Sequence, residues 1–152
     1  MNMLPHRIAA GGIIIRGDAI LLVRYSDNAD GSYLVGPGGA LNDGENVEDA
    51  IVRETMEETG VMVKPVRLLW IEDLQCKHFK MNKTWMLCEV VGGEVARTQG
   101  AIDEGITLAG WFTKRELEGE TVYPPPLMEH DWSHFASESW RVICLPSRPA
   151  GF

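Results

Sequence analysis

The segment RETMEETG, residues 53–60, places three glutamates within five positions, just before a glycine. In a helix, the spacing of Glu54, Glu57 and Glu58 brings the three carboxylates onto one face. Like charges at such spacings repel each other by about 0.2–0.5 kcal/mol per pair. Glu57 and Glu58 also fall in the last turn, where the negative end of the helix dipole disfavours anions. The arrangement is unfavourable unless a positive charge binds to it.

A divalent cation on the shared face would offset this repulsion. Carboxylate oxygens are hard ligands that suit Mg²⁺ or Mn²⁺. Arg53 is adjacent to Glu57 on the helical wheel and is placed to hold one carboxylate by a bidentate contact. The alternative is a solvated acidic helix face, which is what most charge clusters on helices are.

The residues around the glutamates extend the pattern. From Gly39 the chain reads G-x5-E-x7-R-E-x-x-E-E-x-G-V, and its fixed positions are Gly39, Glu45, Arg53, Glu54, Glu57, Glu58, Gly60 and Val61. This pattern closely resembles the Nudix box, the signature of hydrolases of nucleoside diphosphates linked to another moiety. Two positions depart from the family. Thr55 replaces the usual aliphatic residue, and Gly36, in the GPGG before the box, stands where a bulkier apolar residue is common.

The resemblance implies a role for each box residue. Glu54, Glu57 and Glu58 would be metal ligands, and Arg53 would orient them. Glu45 would be an outer or water-mediated ligand.

Residues on either side of the box also match features of the family. The segment DEGITLAGWFTKREL resembles the acidic loop, Trp-Phe strand and short helix found late in many members. Family members often recruit one more carboxylate from this loop, as a metal ligand or as the general base. Glu104 is the candidate here and Asp103 is next, although simple solvation of a loop explains both equally well. Backbone N–H groups of Gly38 and Gly39 would be available to a phosphate oxygen.

The implied activity is metal-dependent hydrolysis of a diphosphate linkage in a small nucleotide. Mg²⁺ or Mn²⁺ would neutralise phosphate charge and lower the pKa of the attacking water, and a carboxylate would take its proton. The choice of base stays open between a box glutamate and Glu104. A nucleoside triphosphate is the preferred substrate, because the family's ADP-ribose subgroup usually carries a proline beyond the box and none lies between Pro65 and Pro124. ADP-ribose, sugar nucleotides, dinucleoside polyphosphates and capped RNA ends stay open.

Two other functions compete with the hydrolase. One is a non-catalytic nucleotide sensor on the same fold, although a sensor has no need of a complete set of metal-binding carboxylates. The other is an acidic interaction domain that binds a basic partner through the glutamate face. Metal titration distinguishes the hydrolase from the acidic interaction domain. Turnover distinguishes the hydrolase from the nucleotide sensor.

The elements that must position these residues follow from periodicity and turn signals. Two β-branched runs around Gly17-Asp18 predict a hairpin of strands near residues 7–16 and 19–25. An Asn46 cap, an apolar stripe and a Gly60 stop predict a helix over residues 47–59. Further strands are expected at 33–35, 61–74, 83–91 and 106–113, helices at 114–119 and 127–140, and irregular segments at 28–32 and 36–45. The resemblance implies an α/β/α sandwich with a mixed β-sheet.

Composition sets the remaining limits. The 152 residues fit one domain spanning residues 1–152, and 45% of them are hydrophobic. A formal net charge of -8 argues against a surface that coats nucleic acid. Three cysteines without a CxxC pair suggest neither disulfides nor structural zinc, and no apolar run indicates a membrane span or signal peptide. We expect a cytoplasmic protein, with a homodimer as the default oligomer.

Overall fold

The computed structural model describes residues 3–27 and 31–151. The strands are β1 (His6–Arg16), β2 (Ala19–Asp27), β3 (Gly31–Val35), β4 (Gly38–Ala40), β5 (Val61–Gln75), β6 (Lys80–Gly93), β7 (Ile106–Thr113), β8 (Val122–Tyr123), β9 (Ile143–Cys144) and β10 (Arg148–Pro149). The helices are α1 (Val47–Thr59), α2 (Gln99–Asp103), α3 (Pro126–Glu129) and a 3₁₀ helix (Trp132–Ala136). Every helix in the described part of the chain is too short or too polar to cross a membrane.

One mixed sheet carries the fold. Its strand order is β10-β5-β6-β1-β2-β3-β8, with β4 paired to β1, β7 to β2 and β9 to β5. Strand β1 runs antiparallel to β2 and β4 but parallel to β6. The β1–β4 pairing sets Gly39 beside Ala10, so the start of the glutamate-rich segment is fixed to the centre of the sheet.

Helix α1 has the predicted bounds, Val47–Thr59, because both of its ends carry local signals. The Asn46 side chain accepts a hydrogen bond from the Asp49 N–H at 2.8 Å, which satisfies one free amide of the first turn. Gly60 adopts a φ of 79°, a left-handed conformation that ends the helix at little cost for glycine.

The sheet is covered on both faces. Alternate residues of β1 point to opposite sides, so Ile14 packs with Ile51 of α1 while Ile13 packs with Trp70 and Phe135 on the far side. Helix α3 and the 3₁₀ helix contribute Leu127 and Phe135 to that second core. The predicted α/β/α arrangement with a mixed sheet is therefore confirmed.

Two expected helices do not form as predicted. Residues 114–119 form successive turns instead, with hydrogen bonds such as Leu117 N–H to the Lys114 carbonyl, and Gly119 at a φ of 82° ends them. Six residues are too few to stabilise an α-helix without strong packing. Residues 127–140 divide into α3 and the 3₁₀ helix because Asp131 takes an extended conformation and caps the latter through the Ser133 N–H.

Two segments expected to be irregular contain strand. Gly38–Ala40 form β4 within the glycine-rich segment, because glycines allow this strand to lie close against β1. A Cβ atom on Gly38 would come within 2.2 Å of the Ala10 carbonyl oxygen. In the expected 28–32 loop, residues 28–30 lie outside the described residues, and Gly31 and Ser32 begin β3.

Trp85 explains why Gly36 stands where the family usually has a bulkier apolar residue. A Cβ atom on Gly36 would lie 2.7 Å from the Trp85 ring, and one on Gly11 would lie 2.3 Å from it. The indole of Trp85, only 1% exposed, fills the space above both glycines. In this chain the bulky apolar group is supplied by β6, so the position before the box must stay small.

Candidate metal and nucleotide site

Arg53 is the centre of the polar network on α1. Its Nε and Nη2 donate to the two oxygens of Glu45 at 2.8 Å each, and Nη2 also donates to the Ala40 carbonyl at 3.2 Å. Its Nη1 donates to Glu54 at 2.8 Å and to Glu57 at 3.3 Å. These five hydrogen bonds match the five N–H groups of a guanidinium. Arg53 therefore lies where an orienting residue is expected, between the loop before the helix and two of its glutamates.

Glu45 is held by Arg53. Both oxygens accept from the guanidinium, and Oε1 also accepts the Asn42 N–H at 3.0 Å. These bonds lower the pKa of Glu45 to about 2, with Arg53 the larger cause. In this arrangement of side chains, Glu45 positions Arg53. The expected contact of Glu45 with a metal stays a prediction.

The two glycines make room for the glutamates. A Cβ atom on Gly39 would come within 2.6 Å of the Glu54 Oε1, so any larger residue would displace that carboxylate. The Gly38 N–H donates to Glu58 Oε2 at 3.2 Å. In this arrangement Gly38 orients a glutamate, and its expected contact with a phosphate stays a prediction, as does that of Gly39.

Helix α2 brings a fourth carboxylate to the site. Thr98 caps α2 and its hydroxyl also donates to the Glu57 carbonyl, which anchors α2 to the end of α1. Glu104, at the C-terminal end of α2, lies close enough to raise the pKa values of both Glu54 and Glu58. Asp103 instead accepts a hydrogen bond from Gln99 at 2.8 Å. Of the two late carboxylates, Glu104 is the one whose charge raises the pKa values of box glutamates, and its role in metal binding or catalysis stays a prediction.

Burial raises the pKa values of two glutamates in this cluster. Glu58, 1% exposed, has its pKa raised to about 8, mainly by desolvation and next by the charge of Glu54. Desolvation also raises the pKa of Glu54, and the Arg53 contact opposes that effect. Glu57 differs, because 52% of its side chain is exposed. The site thus holds two buried carboxylates that compete for positive charge and one that is half exposed.

Two side chains that sequence reasoning missed also face the cluster. Lys83 on β6 is within electrostatic reach of Glu58, Glu72 and Glu54, and desolvation lowers its pKa against their effect. Tyr25 on β2 has its pKa raised by burial and then by the charges of Glu58 and Glu104. Both come from strands distant in sequence, so no local motif pointed to them.

A pocket of about 350 Å³ begins beside Lys83. Its lining includes Tyr33, Glu72, Trp85, Tyr123 and Arg148. This volume is within the range of small-molecule sites, which are roughly 300–1,000 Å³. Lys83 lines this pocket and lies within electrostatic reach of Glu54 and Glu58, so the pocket lies near the box glutamates.

The donor types suit a hard divalent cation, but the side chains are not arranged around one. Across residues 3–27 and 31–151, no three His, Cys, Asp or Glu side chains are placed so that they could hold a metal ion as they stand. Glu54 and Glu57 are turned toward Arg53, and Glu58 toward Gly38. The buried charge on Glu54 and Glu58 is only partly offset by Arg53 and Lys83, so the donor set fits a cation once the carboxylates rotate.

Comparison with known proteins decides the family. The model of the NUDIX domain matches residues 5–135, which is most of the chain and includes the whole box. The chain belongs to the NUDIX family. The resemblance of the box is thereby confirmed, while the roles of its individual residues stay predictions.

Among the curated relatives of this NUDIX domain, an ADP-ribose pyrophosphatase from Methanocaldococcus jannaschii is 35% identical over 60% of this chain and 56% of the relative. An NAD-capped RNA hydrolase from Chromobacterium violaceum is 33% identical over 70% of this chain and 38% of the relative. The chain thus spans between a third and three fifths of these relatives' lengths. A solved NUDIX hydrolase from Nitrosomonas europaea has a TM-score of 0.68 at 27% identity, covering 82% of this chain and 84% of the other.

Proposed function

We propose that this NUDIX domain is a metal-dependent pyrophosphohydrolase that cleaves the diphosphate linkage of a small nucleotide derivative. The observation that carries the proposal is the gathering of Glu54, Glu58 and Glu104 within electrostatic reach of one another, on and beside the box helix. Buried like charges are costly to maintain, and structural stability gives no reason to keep them. A reaction that needs a bound cation beside a phosphate does give such a reason.

Glu54, Glu57, Glu58 and Glu104 are the residues that would hold Mg²⁺ or Mn²⁺. When bound, the cation supplies charge neutralisation at the phosphates and lowers the pKa of a water. Glu57 is the ligand that needs the smallest loss of contacts to turn toward a cation, because it is half exposed and its contact with Arg53 is the longest in that network at 3.3 Å.

The protein's own groups then define the geometry of the reaction. Arg53 holds one oxygen of Glu54, and the Gly38 N–H holds one oxygen of Glu58. This leaves the second oxygen of each carboxylate for a cation once the side chains rotate. Lys83 provides a positive charge on the pocket side of the cluster, where it can neutralise a phosphate oxygen. The attacking water loses its proton to a carboxylate, either Glu104 or a box glutamate.

The expected substrate class follows from the volume of the pocket and from the positions of prolines in the sequence. The pocket beside Lys83 has a volume of about 350 Å³, which is in the range of small-molecule sites. A nucleoside triphosphate stays the preferred substrate, and the absence of a proline between Pro65 and Pro124 still lowers the expectation for ADP-ribose. The relative that acts on ADP-ribose keeps that compound in the test panel.

The test is product release from nucleoside triphosphates, ADP-ribose, sugar nucleotides and dinucleoside polyphosphates, each with Mg²⁺, Mn²⁺ or chelator. Wild type is compared with Glu57→Gln and with Glu48→Gln, whose glutamate is exposed on the first turn of the same helix. We expect metal-dependent turnover of one class, a loss of at least about a hundredfold in Glu57→Gln and none in Glu48→Gln. Nucleotide binding without turnover by wild type would reject the hydrolase in favour of a sensor.

A further inference from the structure

Residues 148–151 form one wall of the pocket beside Lys83. Strand β10 pairs in parallel with β5, setting Arg148 beside Leu74 and Pro149 beside Gln75. The Ala150 N–H donates to the Gln75 carbonyl at 3.0 Å, which holds the segment against the sheet. This wall lies outside residues 5–135, the part of the chain that matches the NUDIX domain.

Arg148 is fixed in the wall by two contacts. Its Nε donates to Glu72 Oε2 at 3.2 Å, and its guanidinium carbon lies 4.6 Å from the centre of the Tyr123 ring. Among the described residues, no hydrogen bond reaches its two terminal nitrogens. Arg148 thus presents N–H donors in a fixed plane to the pocket that it lines.

Glu72 places an acceptor next to those donors. It is 2% exposed, lines the same pocket, and accepts the Trp85 indole N–H at 3.0 Å through its other oxygen. Each carboxylate oxygen can accept a second hydrogen bond. The pair therefore offers a donor and an acceptor side by side, with Arg148 over the Tyr123 ring and Glu72 bonded to the Trp85 indole.

The position of the pair favours a base over a phosphate. Lys83 is within electrostatic reach of the box glutamates, where the diphosphate would be cleaved, but those glutamates are not among the lining residues of the pocket. Arg148 and Glu72 do line it. Glu72 also offsets the charge of Arg148, which weakens its attraction for an anion but leaves its N–H donors in place.

We propose that Arg148 and Glu72 bind the heterocyclic base of the nucleotide and determine which base is accepted. Adenine offers N7 and its amino group as an adjacent acceptor and donor, and guanine offers O6 and N1–H in the same order. Tyr25, Tyr33 and Tyr123 form a row of rings with centres 5.5 and 5.6 Å apart, which runs from the carboxylate cluster to Arg148. The inference rests on the proposed function only in taking a nucleotide as the ligand.

The test is calorimetric titration with AMP, GMP, UMP, CMP and ribose 5-phosphate, none of which contains a diphosphate to cleave. We expect wild type to bind at least one monophosphate about tenfold more tightly than ribose 5-phosphate, and the preferred base to be named by that comparison. Arg148→Ala should reduce this ratio to below about threefold without changing the affinity for ribose 5-phosphate. Arg141→Ala, at an exposed arginine outside the pocket, should leave every affinity unchanged.

Two further variants test the planar donors of Arg148 and the acceptor of Glu72 separately. Arg148→Lys keeps the charge but not the planar donor pair, so it should behave like Arg148→Ala. Glu72→Gln replaces one of the two acceptor oxygens with an N–H donor. It should change the order of the affinities for the four monophosphates. Equal weakening of the monophosphates and ribose 5-phosphate by Arg148→Ala would overturn the inference, as would an absence of any base preference in wild type. Because no hydrolysis is involved, these results are independent of whether the domain is a hydrolase.

Discussion

Arg53 holds both carboxylate oxygens of Glu45, through Nε and Nη2 at 2.8 Å each. This bidentate contact joins helix α1 to the loop that precedes it. The remaining N–H groups of Arg53 are thereby aimed at Glu54 and Glu57. The position of the candidate metal ligands is thus set by a residue that need not touch the metal.

Arg53→Lys tests this positioning role. Lysine keeps the positive charge but has three donors and no planar fork, so it cannot hold Glu45 and Glu54 together. We expect kcat for the preferred substrate to fall by about ten- to a hundredfold while the protein stays folded. The measurement is steady-state kinetics with thermal unfolding as a check, and Arg141→Lys, at an exposed site, is the matched control. Unchanged kcat in Arg53→Lys would show that the network is dispensable.

Stability of the metal-free protein should depend on pH through Glu58. Its folded pKa of about 8 lies above that of an unfolded carboxyl group, so the folded state binds more protons between these values. Stability is therefore greatest at the acid end of that window and falls as pH rises through it, by at most about 1.4 kcal/mol per pH unit.

Thermal unfolding in chelator from pH 5 to pH 8.5 measures this effect. Glu58→Gln should have a flatter profile than wild type, whereas Glu48→Gln should follow wild type. Adding Mn²⁺ should raise the wild-type midpoint most at high pH, where the cation no longer competes with a proton. Parallel profiles for wild type and Glu58→Gln would contradict the assignment.

Two buried threonines of α1 should respond in opposite ways to replacement by valine. Among the described residues the Thr55 hydroxyl has no hydrogen-bond partner, whereas the Thr59 hydroxyl donates to the Thr55 carbonyl at 2.6 Å and accepts from the Val61 N–H at 3.1 Å. Both side chains are 0% exposed. Thr55→Val removes an unpaired polar group, and Thr59→Val creates one.

We expect Thr55→Val to stabilise the protein by about 1 kcal/mol and Thr59→Val to destabilise it by about 1–3 kcal/mol. Chemical denaturation at fixed pH gives both values, and each variant is the other's control. The result would show that the family's usual aliphatic residue at position 55 is also the more stable choice here. Destabilisation by Thr55→Val would show that the Thr55 hydroxyl makes a hydrogen bond in the folded protein.

The helix that carries the glutamates was predictable because its signals are local. Asn46, the apolar stripe and Gly60 each act within a few residues, and the bounds 47–59 are confirmed. Helix α2 was missed because it has only five residues and is held by a tertiary contact from Thr98 to Glu57. The expected helix at 127–140 was wrong because the Asp131 side chain competes for nearby backbone groups.

The carboxylates of the site were visible in the sequence, but their surroundings were not. Lys83 reaches the cluster because β6 pairs in parallel with β1, which sets Lys83 beside Ala9, next to the β1–β4 pair that carries Gly39. Arg148 reaches the pocket through the pairing of β10 with β5. Both placements depend on strand order, which periodicity does not reveal. Strand order therefore had to come from the structure.

If the acidic face of α1 is a divalent-cation site, it should bind Mn²⁺, and electron paramagnetic resonance measures that binding. Wild type, Glu58→Gln and Glu48→Gln are titrated with Mn²⁺ at pH 8 without substrate. We predict that Glu58→Gln raises the Kd by at least about tenfold and that Glu48→Gln leaves it unchanged. The same Kd in all three proteins, or no binding to wild type, would contradict the account.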